Sequence, residues 1–104
     1  MSTTSITVGV CLSDEHALEL QAFAEACGTP ADFVRLLVSE GLVQPAFEQP
    51  SWRFGGEELA RVRRICRLQR DFEAPLQSVA VMLELIDEVE RLRALLRRAG
   101  IAAP

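Results

Sequence analysis

Few residues in this chain are of types that carry chemistry. There is one histidine, His16, and no tyrosine or lysine at all. The three cysteines, Cys11, Cys27 and Cys66, are widely spaced and set among apolar residues. A zinc site takes close-set Cys and His ligands, and here it would have to gather all three cysteines and His16 from across the chain. Their setting reads instead as core filling, since a free cysteine behaves as a small hydrophobe. Two carboxylate pairs, Glu57-Glu58 and Asp87-Glu88, are the other candidates for acid–base work. The first sits where a helix start favours negative charge, and the second falls on a solvated helix face. No glycine-rich phosphate loop is present. The expectation is therefore no enzyme, no metal and no cofactor.

What remains is charge, and it is unevenly placed. Residues 1–50 carry seven carboxylates (Asp14, Glu15, Glu19, Glu25, Asp32, Glu40 and Glu48) against Arg35 alone. Residues 51–104 carry ten arginines against eight carboxylates. Such asymmetry points to a charged partner surface, or to self-association that joins opposite charges. The arginines concentrate in one segment, where Arg63, Arg67 and Arg70 make a stripe with Arg61 and Arg64 beside it. They could touch phosphates. They could equally pair with their own carboxylates, because Glu57 lies four before Arg61 and Asp71 four after Arg67.

These residues need elements to hold them, and 104 residues suffice for one core. Ile6 to Val10 alternates as a short strand, and Ser13 caps a helix whose inner face is Ala17, Leu20, Phe23, Ala24 and Cys27. Gly28 ends it. Thr29 caps a second helix, with Pro30 at its first position and Asp32 near its positive end, and Gly41 stops it after about Glu40. On this second helix Phe33, Leu36 and Leu37 are expected inward, with Val34 and Val38 outward. Two helices across a Gly-Thr turn make a helix-turn-helix candidate. Leu42 to Pro45 leaves extended, Phe47 to Ser51 loops, and Trp52-Arg53-Phe54 returns beside it as a proline-broken wing. Gly55-Gly56 then turns the chain into the arginine-striped helix, whose buried face is Leu59, Val62, Ile65, Cys66 and Phe72. Pro75 turns it again into a last helix from about Leu76 to Ala99.

That last helix holds two apolar rows. Leu76, Val79, Leu83 and Ile86 would cover the core. Met82, Leu85, Val89, Leu92, Leu96 and Ala99 follow 3-4-3-4-3 spacing, the pattern of a coiled-coil seam. The seam outlasts the core row, so a homodimer is expected, with folding back onto the chain's own wing as the other option. The division expected is a winged domain over 1–74 and the last helix over 75–104. No stretch is apolar for long enough to span a membrane, and the first residues lack a signal-peptide layout, so the expected location is cytoplasmic.

Strand, helix-turn-helix, wing, helix and long pairing helix, in that order, resemble the MerR-like proteins. Within them the chain most resembles the chaperone modulators of the CbpM type. The residues that carry the likeness are Gly41-Leu42-Val43-Gln44-Pro45, Trp52-Arg53-Phe54, Arg64, Arg67-Leu68, Val79-Ala80 and Leu83-Glu84-Leu85-Ile86-Asp87-Glu88-Val89. Gly55-Gly56 and Pro75-Leu76 depart from the family, which tends to be acidic after the Trp-x-Phe and acidic-aromatic before the last helix. The resemblance implies a mainly α fold, a MerR-like winged helix-turn-helix with a small β-wing and a long C-terminal dimerisation helix. It also implies a function: binding the J-domain of a DnaJ/CbpA-like co-chaperone and restraining it, without catalysis. The alternative is a MerR-like DNA-binding regulator.

The residues favour a basic protein partner over DNA. A recognition helix reads bases with Arg, Asn, Gln or Lys, and the second helix offers only Arg35 among two carboxylates. The half of the chain around it is net −6, which repels phosphate. Asp32, Val34, Val38 and Glu40 are the expected partner contacts, with Asp87 and Glu88, which match the family's acidic pair, as a second cluster. Met82, Leu85, Val89, Leu92 and Leu96 are the expected dimerisation residues.

Overall fold

In the computed structural model, which describes residues 16–101, β1 (Leu18–Glu19) leads directly into α1 (Leu20–Cys27). A short turn joins α1 to α2 (Ala31–Ser39), and a loop leads to β2 (Arg53–Phe54). Then follow α3 (Gly56–Phe72) and α4 (Leu76–Arg98). The expected strand at 6–10, the Ser13 cap and Cys11 lie outside the described residues. The fold is mainly α with a two-stranded antiparallel sheet, as the sequence led one to expect. Its contacts divide the chain into two units at Cys66–Arg67.

The first helix starts later than its apolar spacing implied. Residues 18 and 19 are extended and pair with the wing strand, Leu18 opposite Phe54 and Glu19 opposite Arg53. Arg53 holds this pairing from the other side, its guanidinium donating to the Ala17 carbonyl at 3.3 Å and to the Glu19 carboxylate at 3.2 Å. Ladder bonds and these side-chain bonds outweigh one more turn of a short helix, which is marginal alone. A side-chain periodicity that fits both a helix and a half-buried strand cannot decide between them.

Both helices of the pair end on left-handed glycines, Gly28 at φ 76° and Gly41 at φ 77°. Thr29 N–H reaches back to the Ala24 carbonyl (3.1 Å) and Leu42 N–H to the Leu37 carbonyl (2.9 Å), closing carbonyls that the helix leaves open. Pro30 stands one place earlier than expected, as the N-cap residue of α2 rather than its first helical residue. Its carbonyl accepts from Phe33 and Val34, and its missing N–H costs nothing there.

The core of this unit is built on Phe23 of α1 stacked on Phe54 of β2, ring centroids 4.4 Å apart at 14°. Trp52 meets Phe54 edge-on at 6.2 Å. Ala17, Ala24, Val34, Leu37, Val43, Leu59, Val62 and Ile65 are buried with it. The wing closes as a single bridge, with Arg53 N–H donating to the Phe47 carbonyl and the Arg53 carbonyl accepting from Ala46 and Phe47. At the start of α3 the Glu58 carboxylate accepts from Gly55 N–H at 2.6 Å, the return half of a capping box. Glu58 is thereby a structural carboxylate.

In the second unit, Glu73 turns the chain at φ 48°, and Pro75 caps α4 through Ser78 and Val79. Val79 and Leu83 are buried, and Leu76 and Ile86 half-buried, so the first expected row of α4 is its inner face. Phe72, expected on the buried face of α3, is 64% exposed because it closes the helix beyond its last buried position, Ile65.

Candidate functional site

The outward face of α2 is set by which of two apolar rows the core selects. The helix offers Phe33-Leu36-Leu37 and Val34-Leu37-Val38, and both fit a buried stripe. Val34 and Leu37 are the fully buried pair. At about 100° per residue Leu36 then lies roughly 200° from Val34, and it is 43% exposed. Two expectations are corrected by this rotation. Val34 is a core residue and cannot touch a partner, and Val38 is half-buried beside it. Leu36, expected inward, is the apolar residue that α2 presents.

The presented row is therefore Asp32, Arg35, Leu36, Ser39 and Glu40. Asp32 and Arg35 form an ion pair one turn apart. Ser39 Oγ donates to the Leu36 carbonyl at 2.9 Å, so its hydroxyl proton is used within the helix. The only arginine of the helix is thus neutralised by its neighbour, while Glu40 stands exposed beside Leu36. The wing adds an exposed Phe47 and, at its tip, Glu48, Gln49 and Pro50 without a cation.

An open cleft of about 270 Å³ lies between the end of α2 and the start of α3, lined by Gly41, Leu42, Gln44, Glu57, Glu58 and Arg61. It is smaller than the roughly 300–1,000 Å³ that encloses a drug-sized ligand. Arg61 Nε donates to the Leu42 carbonyl at 2.5 Å, a bond that ties α3 to the segment after α2. A bond to a backbone carbonyl nineteen residues away leaves no sequence signal.

On α4, Asp87 and Glu88 are both exposed. Glu88 pairs with Arg91 through two hydrogen bonds, at 3.1 and 2.5 Å. These bonds hold the Glu88 carboxyl below its ordinary range and the Arg91 guanidinium above its own. The seam residues Leu85, Val89 and Leu92 are exposed, with Met82 and Leu96 half-buried, and Val81 and Leu95 widen the same apolar face. Cys27 and Cys66 are half-buried and not joined in a disulfide. Burial pushes the Cys27 thiol up to about 12, Cys66 adds to the rise, and Arg63 opposes it. A thiol so protonated is a poor nucleophile. Among the described residues, no group of His, Cys, Asp and Glu side chains could hold a metal, and no helix is long and apolar enough to cross a membrane.

A short sheet, a helix-turn-helix, a bridged wing and a long final helix are the parts of a MerR-like winged helix-turn-helix. The sequence model of the MerR HTH family regulatory proteins matches residues 18–99, beginning at the first residue of β1. The chain is 31% identical over 77 residues to the chaperone modulatory protein CbpM of Pseudomonas putida (strain W619), covering 73% of this chain and 76% of that protein. The same protein of Pseudomonas entomophila (strain L48) is 30% identical over an equal span. The chain belongs to the CbpM family of chaperone modulatory proteins, a branch of the MerR-type helix-turn-helix proteins.

Proposed function

We propose that this protein modulates a chaperone system by binding the J-domain of a DnaJ/CbpA-like co-chaperone and restraining its activity. Its relatives are named for chaperone modulation. The observation that carries the binding mode is the outward row of α2, where Arg35 is neutralised by Asp32 and exposed Leu36 stands beside Glu40. An apolar anchor rimmed by carboxylates suits a protein surface of positive charge. J-domains carry a basic helix with which they meet their chaperone, and a competitor for that helix needs this character. Asp87 and Glu88 on α4 are a second acidic cluster for the same partner. The proposed action involves no chemical step and takes place in the cytoplasm.

The same row weighs against the alternative, a DNA-binding regulator. A helix that enters the major groove needs donors free to reach base edges and cations to release counterions. Here the helix's one guanidinium is engaged by Asp32, and the wing tip adds Glu48. Calorimetry of the full chain against an isolated J-domain, at low and physiological salt, tests the proposal. Saturable binding that weakens as salt rises supports it. No heat at either salt, with a nanomolar gel shift on duplex DNA, would replace it with the regulator.

A further inference from the structure

The cleft between the end of α2 and the start of α3 holds charge that its own residues leave unmatched. Its lining carries two carboxylates, Glu57 and Glu58, against one guanidinium, Arg61. Two of these three groups are already committed. Glu58 accepts from Gly55 N–H at 2.6 Å, and Arg61 Nε donates to the Leu42 carbonyl at 2.5 Å. Glu57 is different. Neither its exposed carboxylate nor the side-chain amide of Gln44 makes a hydrogen bond or ion pair among the described residues. Glu40, next in sequence to the lining residue Gly41, adds an exposed carboxylate at the edge.

The two helix ends at the cleft favour the same sign of ligand. α3 starts here, and Glu57 and Glu58 in its first turn already meet its positive end. α2 finishes here on Gly41, and its last turn holds no basic residue. An anion would face two carboxylates and the negative end of a helix. A cation faces groups that favour it. Size narrows the class further. The cleft's volume of about 270 Å³ matches about nine waters at roughly 30 Å³ each, which is room for one long side chain. Its mouth is open, since a Cβ added at Gly41 would meet nothing within 4 Å.

We propose that this cleft takes one basic side chain, an arginine or a lysine, from the protein partner. Glu57 holds the charge through charge-assisted hydrogen bonds, and the Gln44 amide oxygen accepts beside it. This assignment rests on the reading of a basic partner and names where one of its charges is held. Leu36 and Glu40 lie one turn apart on the presented row of α2, and Gly41 follows directly. A partner segment seated on Leu36 therefore brings its neighbouring side chains to the cleft mouth. The carboxylates on the rim steer the encounter, whereas the cleft discriminates. An apolar side chain placed there would strip water from Glu57 and give it no partner, which costs affinity.

Calorimetry of the full chain against an isolated J-domain is the first test. Glu57→Gln weakens binding about three- to tenfold, and Gln44→Lys, which fills the cleft with a cation of the chain's own, by at least as much. Glu25→Gln removes an exposed carboxylate from α1 and changes affinity less than about twofold. Replacing the J-domain's arginines and lysines one at a time with methionine identifies the occupant. One such replacement weakens binding to wild type and weakens it no further in Glu57→Gln. Equal small losses in Glu57→Gln and Glu25→Gln, with no coupled residue, would overturn the cleft assignment and leave the J-domain reading in place.

The second test needs no J-domain. Amide NMR spectra of the full chain are followed with ethylguanidinium chloride, n-butylammonium chloride or sodium sulfate at matched ionic strength. The signals of Gly41, Gln44 and Glu57 shift saturably with a cation and not with sulfate, and Glu57→Gln abolishes the shift. The cation that acts at lower concentration tells arginine from lysine. A saturable shift with sulfate, or none with either cation, would overturn the assignment. A cation shift without any J-domain binding would overturn the J-domain reading and keep the cleft as a site for a basic side chain.

Discussion

Glu73 is held at φ 48°, where side chains other than glycine are strained by about 1–2 kcal/mol. Glycine removes that strain but loses more freedom on folding, which offsets part of the gain. Glu73→Gly is therefore expected to stabilise the fold by up to about 1 kcal/mol, raising Tm by about 2–5 °C in a calorimetric scan. Cys27 gives a second outcome at the same scale. Its thiol, near 9 in an open chain, is pushed by burial up to about 12, so the folded state prefers the neutral form. That preference contributes stability fully below about pH 9. It is lost as pH rises toward 12, because only the unfolded chain ionises in that window. Urea midpoints should fall between pH 9 and 12, and falls should be smaller in Cys27→Ala. At pH 8, alkylation of Cys27 should be far slower in the folded chain than in the urea-unfolded one. Equal rates would mean that the thiol is not shielded.

The helices show what periodicity can and cannot deliver. The ends of α2, α3 and α4 were legible because Gly41, Gly55-Gly56, Pro75 and Gly100 are residues that backbone geometry selects. The inner face of α2 was not, since six of its nine residues are apolar and two rows compete. Tertiary packing buries Val34 and Leu37, in a core whose aromatic stack, Phe23 on Phe54, joins residues 31 apart in sequence. The site reading inherited this error: Asp32 and Glu40 are outward as expected, Val34 is not, and Leu36 was missed. Variants of α2 separate the two faces. Asp32→Lys with Glu40→Lys should weaken J-domain binding through a slower on-rate, leaving Tm within about 2 °C. Leu36→Ala should weaken it through a faster off-rate. Val34→Ala should instead cost about 1–3 kcal/mol of stability, read from urea denaturation, with binding unchanged once the chain is folded. Loss of binding in Val34→Ala at full folding would return Val34 to the contact surface.

At the scale of the whole chain, the order of elements could be read from punctuation and the resemblance, but the first strand could not. Leu18-Glu19 looks helical alone and becomes a strand because Phe54 and Arg53 lie beside it. Charge at this scale bears on nucleic acid, the ligand class most often served by a winged helix-turn-helix. The chain is net −4, and the half that holds the helix-turn-helix is net −6. The chain's cations are further reduced by pairing: Arg35 with Asp32, Arg53 with Glu19, Arg70 with Asp71 and Arg91 with Glu88. Arg63 and Arg67 on α3 are exposed and could still approach phosphates. Two phosphate contacts would give a log–log salt slope of only about −2, against about −10 for a strong duplex binder. Gel-shift titration at physiological salt should therefore show nothing tighter than the non-specific range of about 10⁻⁴–10⁻⁶ M. Affinity should be the same for unrelated duplexes, and Arg63→Ala with Arg67→Ala should abolish what remains. A nanomolar complex that depends on base sequence, with a steep salt slope, would show that the acidic face of α2 does not govern what this fold binds.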